Sequence, residues 1–130
     1  MELPVVTAKK LIASSKYPWI DELYFTQIPE EADTTGDKTI VLITSVTEPL
    51  GQFKNDSPSA LEANLQVQIF YGNNFEGNIL DAQLQLINLF INNGWYISGR
   101  EPNTLDPDTN QVTATFTITC NFTINLEGSN

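Results

Sequence analysis

The side chains that usually perform chemistry in proteins are scarce in this chain. It has no histidine, which removes the usual general base near neutral pH and the commonest transition-metal ligand. Its one cysteine, Cys120, has no histidine to activate it and occupies an apolar position in an alternating segment, so we interpret it as a small buried hydrophobe. The glycines match neither a P-loop nor a dinucleotide fingerprint. We therefore predict no catalytic residue, no cofactor and no metal site.

One acidic segment partly matches a calcium-binding loop. Asp106, Asp108 and Asn110 reproduce its opening pattern. However, Gln111 stands where the turn glycine is needed, and Thr117 stands where an acidic residue should close the loop. The pattern therefore favours a polar hairpin tip over a metal site.

Two pairs of adjacent carboxylates could be proposed as an acid and a base, Asp21 with Glu22 and Glu30 with Glu31. Neighbouring carboxylates in loops are usually solvated side chains without a catalytic role. A hydrolase is therefore the last-ranked hypothesis, and we predict that the protein is not an enzyme.

Charge and length narrow the classes of partner. Sixteen acidic and six basic residues give a net charge of −10, which repels nucleic acid and acidic membrane surfaces. No apolar run approaches the roughly 20 residues of a membrane-spanning helix, and the N-terminus lacks a signal peptide's apolar block. The 130 residues suit one domain, 1–130, used inside a cell and binding neither nucleic acid nor membrane.

Two segments have the apolar spacing of helices that cover a sheet. The first runs from Pro4 to about Ser15 and ends before Pro18. The second runs from Phe75 to Asn92, with Asn74 as its cap and Gly94 after its end. Its predicted sheet-facing stripe is Leu80, Leu84, Ile87 and Ile91, flanked by Ile79, Leu86 and Phe90.

Five segments are predicted to be strands, at 23–28, 38–46, 63–71, 95–99 and 112–126. The third alternates apolar residues with amides, which puts an apolar face toward the helices and a polar face away from them. The predicted fold is α+β, a single mixed, mostly antiparallel sheet of about four to five strands packed against two helices.

The last predicted strand is unusually long. Every second residue from Val112 to Leu126 is apolar, and the strand would span roughly 50 Å at about 3.3 Å per residue. Either it bends and pairs with several neighbours, or part of it projects as an arm that pairs with a second chain. The sequence leaves both possibilities open.

Two long polar loops, at about 47–60 and 101–111, are the predicted contact surfaces, because binding residues are often found on loops held by a rigid sheet. Phe53 is the predicted anchor, since an aromatic ring in a loop rich in polar residues suits a buried contact. The candidate protein contacts are Leu50, Gln52, Phe53, Lys54, Asn55, Thr104, Leu105, Asp106 and Asp108.

Several segments together resemble a known family. They are the opening PVVTAKKLIAS, the strand ANLQVQIFYG, the helix ILDAQLQLINLFINNGW and the ending VTATFTITCNFTI. In their order and residue patterns they resemble the DUF806 family of siphophage tail-component proteins, which is similar to phage tail terminators. The resemblance covers nearly the whole chain and implies a tail-terminator-like fold.

The resemblance also implies a function. It implies a subunit of a closed ring, commonly a hexamer, that ends tail-tube polymerisation and joins the tail to the head connector. The partners implied are further copies of the chain, the major tail-tube protein and a head-completion or connector protein. The protein would be made in the host bacterial cytoplasm and reside in the tail or neck of the virion.

Two alternatives remain beside the tail terminator. One is a head-completion protein or another minor tail protein. The other belongs to a different class, a monomeric module that binds a ligand or peptide. That module requires a concave apolar pocket within one chain.

Overall fold

The computed structural model describes residues 2–30, 32, 35–51 and 59–124 of the chain. In these residues, two helices and six strands form a single sheet-and-helix unit. In chain order they are α1 (Pro4–Ser15), β1 (Glu22–Phe25), β2 (Ile40–Thr47), β3 (Leu50–Gly51), β4 (Ala60–Tyr71), α2 (Ile79–Ile91), β5 (Tyr96–Leu105) and β6 (Val112–Thr123).

The sheet has the strand order β1-β2-β4-β6-β5, and the two-residue β3 pairs with the start of β4. Strands β1 and β2 are parallel, and every other pair is antiparallel. The predicted α+β class and the mixed, mostly antiparallel sheet are therefore confirmed. The strand count is slightly higher than predicted, because β3 was not recognised within the loop.

Both helices cover the same face of the sheet. Strand β4 alternates between buried and half-buried residues, and Val67 on its buried side pairs with Phe116 of β6. Phe116 in turn contacts Phe90 of α2, with ring centroids 6.4 Å apart. Helix α1 adds Val5 and Ile12 to the same apolar cluster. No helix in the described residues packs on the opposite face, although Leu42 and Thr115 on that face are only 9% and 8% exposed.

The predicted start of the second helix is wrong. Helix α2 begins at Ile79, and Asn78 caps it by accepting a hydrogen bond at its Oδ1 from the backbone N of Asp81, 3.0 Å away. Asn74, the predicted cap, precedes the helix by several residues. Both asparagines have a side chain suited to capping, so residue type alone did not distinguish them.

The predicted sheet-facing stripe of α2 is also largely wrong. Leu80, Leu84 and Ile91 are 47%, 42% and 50% exposed, while Leu86 and Phe90 are completely buried. The helix is apolar over much more than one face, so spacing alone could not fix its rotation. The ring of Phe90, packed against the sheet, fixes that rotation instead.

Strand β6 lies inside the sheet. The described part of the last strand therefore pairs with neighbouring strands and does not project as an arm. It pairs with β4 along its full length, from Val112 to Thr123, and with β5 from Val112 to Thr119. In the described residues no projecting arm is seen, and among them β6 pairs only with β4 beyond Thr119. Leu126, the predicted end of the strand, lies outside the described residues.

The predicted loop at 101–111 is shorter than expected. Strand β5 runs to Leu105 instead of ending near Gly99, although its pairing with β6 is irregular at two places. Pro102 made this segment resemble a loop in the sequence. Proline is tolerated in strands mainly at sheet edges, and β5 is an outer strand of the described sheet. Of the other predicted loop, residues 52–58 lie outside the described part of the chain.

Candidate functional site

A cleft of about 680 Å³ opens at the end of the sheet where β1 and β2 begin and β4 ends. Trp19 and Phe75 supply its aromatic lining, and Asp21, Asp37 and Glu76 supply carboxylates. The residues come from three connections, those before β1, before β2 and after β4.

The aromatic side of the cleft belongs to a cluster of four rings. The centroid of Trp19 lies 6.1 Å from that of Tyr17 and 6.1 Å from that of Phe75, and Phe75 lies 5.0 Å from Tyr71. Trp19 donates a hydrogen bond from Nε1 to Oε1 of Gln85 in α2, 2.8 Å away. Since its rings are held from several sides, this wall of the cleft is preorganised.

Close backbone packing fixes the rest of the cleft. A Cβ on Gly72 would lie 2.3 Å from the backbone oxygen of Asp37, so only glycine permits this approach. The backbone N of Gly72 donates to Oγ1 of Thr39, and the backbone N of Thr39 donates to Oδ2 of Asp21, at 2.9 and 2.8 Å. The carboxylate of Asp21 therefore has a structural role, because it joins the segment before β1 to the segment before β2.

The cleft is suited to binding more than to catalysis. Its carboxylates and rings could hold a cationic group through charge and contact with the aromatic face. Within the described residues, no three His, Cys, Asp or Glu side chains are grouped closely enough to hold a metal ion.

Of the predicted acid–base pairs, Asp21 and Glu22 have ordinary structural partners. Glu22 accepts a hydrogen bond from the Tyr24 hydroxyl at 2.8 Å and lies 3.4 Å from the ammonium group of Lys38. Asp21 is bonded to the backbone as described above. Glu31 lies outside the described residues.

The segment that resembled a calcium loop forms a hairpin tip between β5 and β6. Oδ1 of Asp106 accepts from the backbone N of Asp108 at 2.8 Å, and the backbone N of Asp106 donates to the oxygen of Gln111 at 2.9 Å. Asn110 adopts a left-handed conformation with φ 62°. The carboxylate of Asp106 therefore stabilises the turn itself.

Cys120 lies half-buried on the helix side of the sheet, opposite Ala63. Burial raises the pKa of its thiol, which disfavours the reactive thiolate. This environment agrees with its interpretation as a small hydrophobe.

The face of the sheet opposite the two helices is polar but uncharged at its centre. Gln66 and Gln68 of β4 lie opposite Thr117 and Thr115 of β6. Nearby, Thr119 donates from Oγ1 to Oδ1 of Asn64 at 2.7 Å, and the Thr119 hydroxyl also lies 2.9 Å from that of Ser98. Carboxylates of Glu62 and Glu101 flank this uncharged centre on the same face of the sheet.

The described members of the two predicted contact surfaces lie at opposite ends of the sheet. Leu50 is 52% exposed and pairs with Leu61 near the start of β4. Leu105 is 62% exposed and pairs with Val112, which lies opposite Tyr71 at the other end of β4. Ten residues of strand between them correspond to roughly 33 Å. The structure therefore does not bring the two surfaces together.

The other predicted contact residues divide in the same way. Thr104 lies in β5 opposite Thr113, and Asp106 and Asp108 lie in the adjoining hairpin tip, at the same end as Leu105. Gln52, Phe53, Lys54 and Asn55 fall outside the described residues.

The sequence analysis missed one exposed apolar surface. Leu80, Leu84 and Ile91 line one flank of α2, where they were predicted to be buried. The signal that could have revealed this surface is the width of the apolar arc, since α2 has more large apolar residues than one buried face requires.

Comparison with known proteins gives one family match. A family described as "Protein of unknown function (DUF806)" matches residues 2–123. No curated protein matches the chain. In the described residues, none of the helices has the length and apolar character needed to span a membrane.

Among solved structures, the chain is similar to one described as the sheath/tube terminator of an extracellular contractile injection system, PVC, in the extended state. The two are 13% identical with a TM-score of 0.46, over 96% of this chain and 58% of the other. The chain thus spans less than two thirds of that protein, and a likeness this distant does not transfer its role.

Proposed function

This chain belongs to the DUF806 family, and we propose that it is a structural subunit of a long-tailed bacteriophage, a tail terminator. In this role, several copies close into a ring, hexameric in our proposal, at the end of the tail tube nearest the head. The ring stops tube growth and joins the tail to a head-completion or connector protein. The protein is made in the host bacterial cytoplasm and resides in the virion.

The placement of the two contact surfaces at opposite ends of one sheet is the observation that carries this proposal. Leu50 and Leu105 are both exposed and are separated by roughly 33 Å of strand. A subunit that joins two different partners needs a surface for each, held at a fixed distance. A rigid sheet with a loop at each end meets that need.

The uncovered parts of the sheet support assembly into a ring. In the described residues, β5 is an outer strand, and its side away from β6 has no partner strand there. An open strand edge favours association with another chain, and a head-to-tail ring covers that edge with the neighbouring subunit.

The proposal is tested by polymerising the purified major tail-tube protein with and without this chain. We expect shorter tubes, with a ring at one end visible by negative-stain electron microscopy. An unrelated acidic protein of similar size is the control. Unchanged tube lengths and no rings at a stoichiometric amount of the chain would contradict a terminator role. Binding to the head connector without binding to the tube would favour the head-completion alternative.

A second candidate function, a peptide-binding module, is favoured by the cleft beside Trp19. Its rim carries Asp21, Asp37 and Glu76, so a basic peptide is the ligand that its charge suits. Titration of an arginine-containing peptide should change the fluorescence of Trp19 and leave a Trp19→Phe variant without that change. The absence of any saturable change would remove this candidate.

A further inference from the structure

One flank of α2 is apolar and exposed, although another face of the helix already covers the sheet. Phe90 faces the sheet and is fully buried, whereas Leu80, Leu84 and Ile91 are 47%, 42% and 50% exposed. Ile87, 8% exposed, lies at the border between the two faces. We call Leu80, Leu84, Ile87 and Ile91 the α2 flank.

The α2 flank lies on the side of the helix away from α1. Gln85, on the opposite side of α2, is the residue that contacts the α1 end of the molecule. Its side chain accepts from Trp19 at 2.8 Å, and its backbone oxygen accepts from the Tyr17 hydroxyl at 3.5 Å. The first helix therefore does not block access to the α2 flank.

The spacing of the α2 flank is that of a helix–helix seam. Its four residues follow one another at intervals of four, three and four positions. This is the alternation by which side chains of one helix fit between those of a second helix in a coiled coil. A second helix therefore fits the surface.

Symmetry and charge identify that helix as α2 of a second copy. When two such helices run antiparallel, Leu80 of one lies opposite Ile91 of the other, and Leu84 lies opposite Ile87, so all four positions are filled twice. Asp81 is the sole charged residue of α2, and the antiparallel arrangement separates the two Asp81 side chains by most of a helix about 20 Å long. Two copies of net charge −10 approach most easily through a surface this low in charge.

We propose that two copies of this chain pair through the α2 flank, with their α2 helices antiparallel. Such a contact is complete with two copies and does not depend on the proposed tail-terminator ring, which uses a head-to-tail contact. The flank has four side chains a copy, against the roughly 20–30 residues a side of a standard interface. We therefore expect a dissociation constant in the micromolar range, roughly 10–100 µM.

The first experiment measures this equilibrium by analytical ultracentrifugation from about 10 to 500 µM protein. Leu84→Glu places a charge in the centre of the seam and should raise the dissociation constant at least about tenfold. Gln85→Glu is the matched control, because it adds the same charge on the side of the helix away from the flank and keeps an oxygen that accepts from Trp19. It should change the dissociation constant by no more than about twofold. Thermal unfolding of both variants verifies that they fold.

The second experiment tests the antiparallel arrangement by disulfide formation in a Cys120→Ala background. Leu80→Cys and Ile91→Cys are prepared as separate proteins and oxidised alone and as a mixture. Antiparallel pairing brings position 80 of one copy to position 91 of the other, so the mixture should cross-link efficiently and each protein alone should not. Both positions are exposed in the single chain, so neither substitution removes a core residue.

Three results would overturn the pairing. The first is a wild-type chain that remains monomeric at the highest concentration, and the second is Leu84→Glu associating as tightly as Gln85→Glu. The third is cross-linking of each cysteine protein with itself in place of the mixture. If Leu84→Glu instead abolishes binding to the tail-tube protein while the wild-type chain alone is monomeric, the flank serves another protein and self-pairing is wrong. Tube capping retained by a monomeric Leu84→Glu variant separates this pairing from the proposed ring.

Discussion

Tyr71 joins the end of β4 to the start of α2 through its phenolic oxygen. The hydroxyl donates to the backbone oxygen of Ile79 at 2.7 Å, and burial raises the pKa of Tyr71 above its ordinary value, with a smaller opposing effect of Arg100. The folded protein therefore favours the neutral phenol more strongly than the unfolded chain does. The resulting stability is fully present below the unfolded pKa of about 10 and is lost as the pH rises from there toward the folded pKa.

We therefore expect the free energy of unfolding to fall as the pH rises above about 10, and Tyr71→Phe to reduce that fall. The variant should lose about 1 kcal/mol at neutral pH, because the hydrogen bond to Ile79 is removed. Urea unfolding at about pH 7 and pH 10.5 measures both effects. An alkaline loss of stability that is equally large in the variant would show that Tyr71 is not its source.

Phe53 remains a prediction from sequence, because it lies outside the described residues. If its ring anchors a contact between chains, Phe53→Ala should weaken assembly by at least about tenfold and leave the melting temperature nearly unchanged. Phe116→Ala is the contrast, since Phe116 is completely buried and its truncation should cost about 3–5 kcal/mol of stability. Differential scanning calorimetry with sedimentation separates the two outcomes. A large drop in melting temperature for Phe53→Ala would place Phe53 in the core.

At the scale of elements, Gly72 controls how the loop before β2 meets the end of β4. A Cβ at this position would lie 2.3 Å from the backbone oxygen of Asp37 and 2.6 Å from the backbone carbon of Lys38. Neither backbone atom can move without disturbing the pairing of β2 with β4. We expect Gly72→Ala to lower the free energy of unfolding by about 1–3 kcal/mol or more.

The matched control for this prediction is Gly51→Ala. Gly51 also lies at the sheet, in β3, but among the described residues an added Cβ would meet no atom within 4 Å. Its substitution should change the free energy of unfolding by no more than about 0.5 kcal/mol. Equal losses in the two variants, measured by urea unfolding, would rule out the close approach at Gly72 as the cause.

The same scale shows which elements can be predicted from sequence. From Ala63 to Ile69, strand β4 alternates between apolar residues and amides, so its two faces were assigned correctly. The end of helix α2 was nearly found but its start was not, and its rotation was missed because the helix is apolar around more than half its circumference. That rotation depends on contacts with residues distant in sequence, such as the ring of Phe116 and the hydrogen bonds from Arg100 to Gln83.

The second half of strand β5 could not be predicted from its own sequence. Residues 100–105 are polar or proline except for Leu105, a composition typical of a loop. They form a strand because β6 extends alongside them and supplies hydrogen-bonding partners. An exposed edge strand needs no apolar face, so its sequence contains little signal. Of the candidate site, only positions in the predicted contact surfaces, at the two ends of the sheet, were proposed from the sequence. The cleft beside Trp19 was not predicted, because it combines residues from three separate connections.

At the scale of the whole molecule, net charge opposes every contact between copies. Each chain carries −10, and the described residues contain two salt bridges, one linking Lys10 to Glu2 and the other Lys38 to Glu22. Both join side chains of the same copy, so they do not reduce the repulsion between subunits. If copies associate as proposed, their contacts therefore use surfaces low in charge, such as the α2 flank.

This balance predicts that salt strengthens assembly. Raising sodium chloride from about 0.02 to 0.5 M shortens the screening length from roughly 20 Å to less than 5 Å and weakens repulsion between the copies. We expect the apparent dissociation constant to fall by at least about threefold over this range, as measured by sedimentation. Association held by complementary charges would show the reverse, because screening weakens attraction as well. Salt that loosens the assembly would therefore mean that subunits meet through ion pairs between the few basic residues and the acidic surface, in place of neutral contacts.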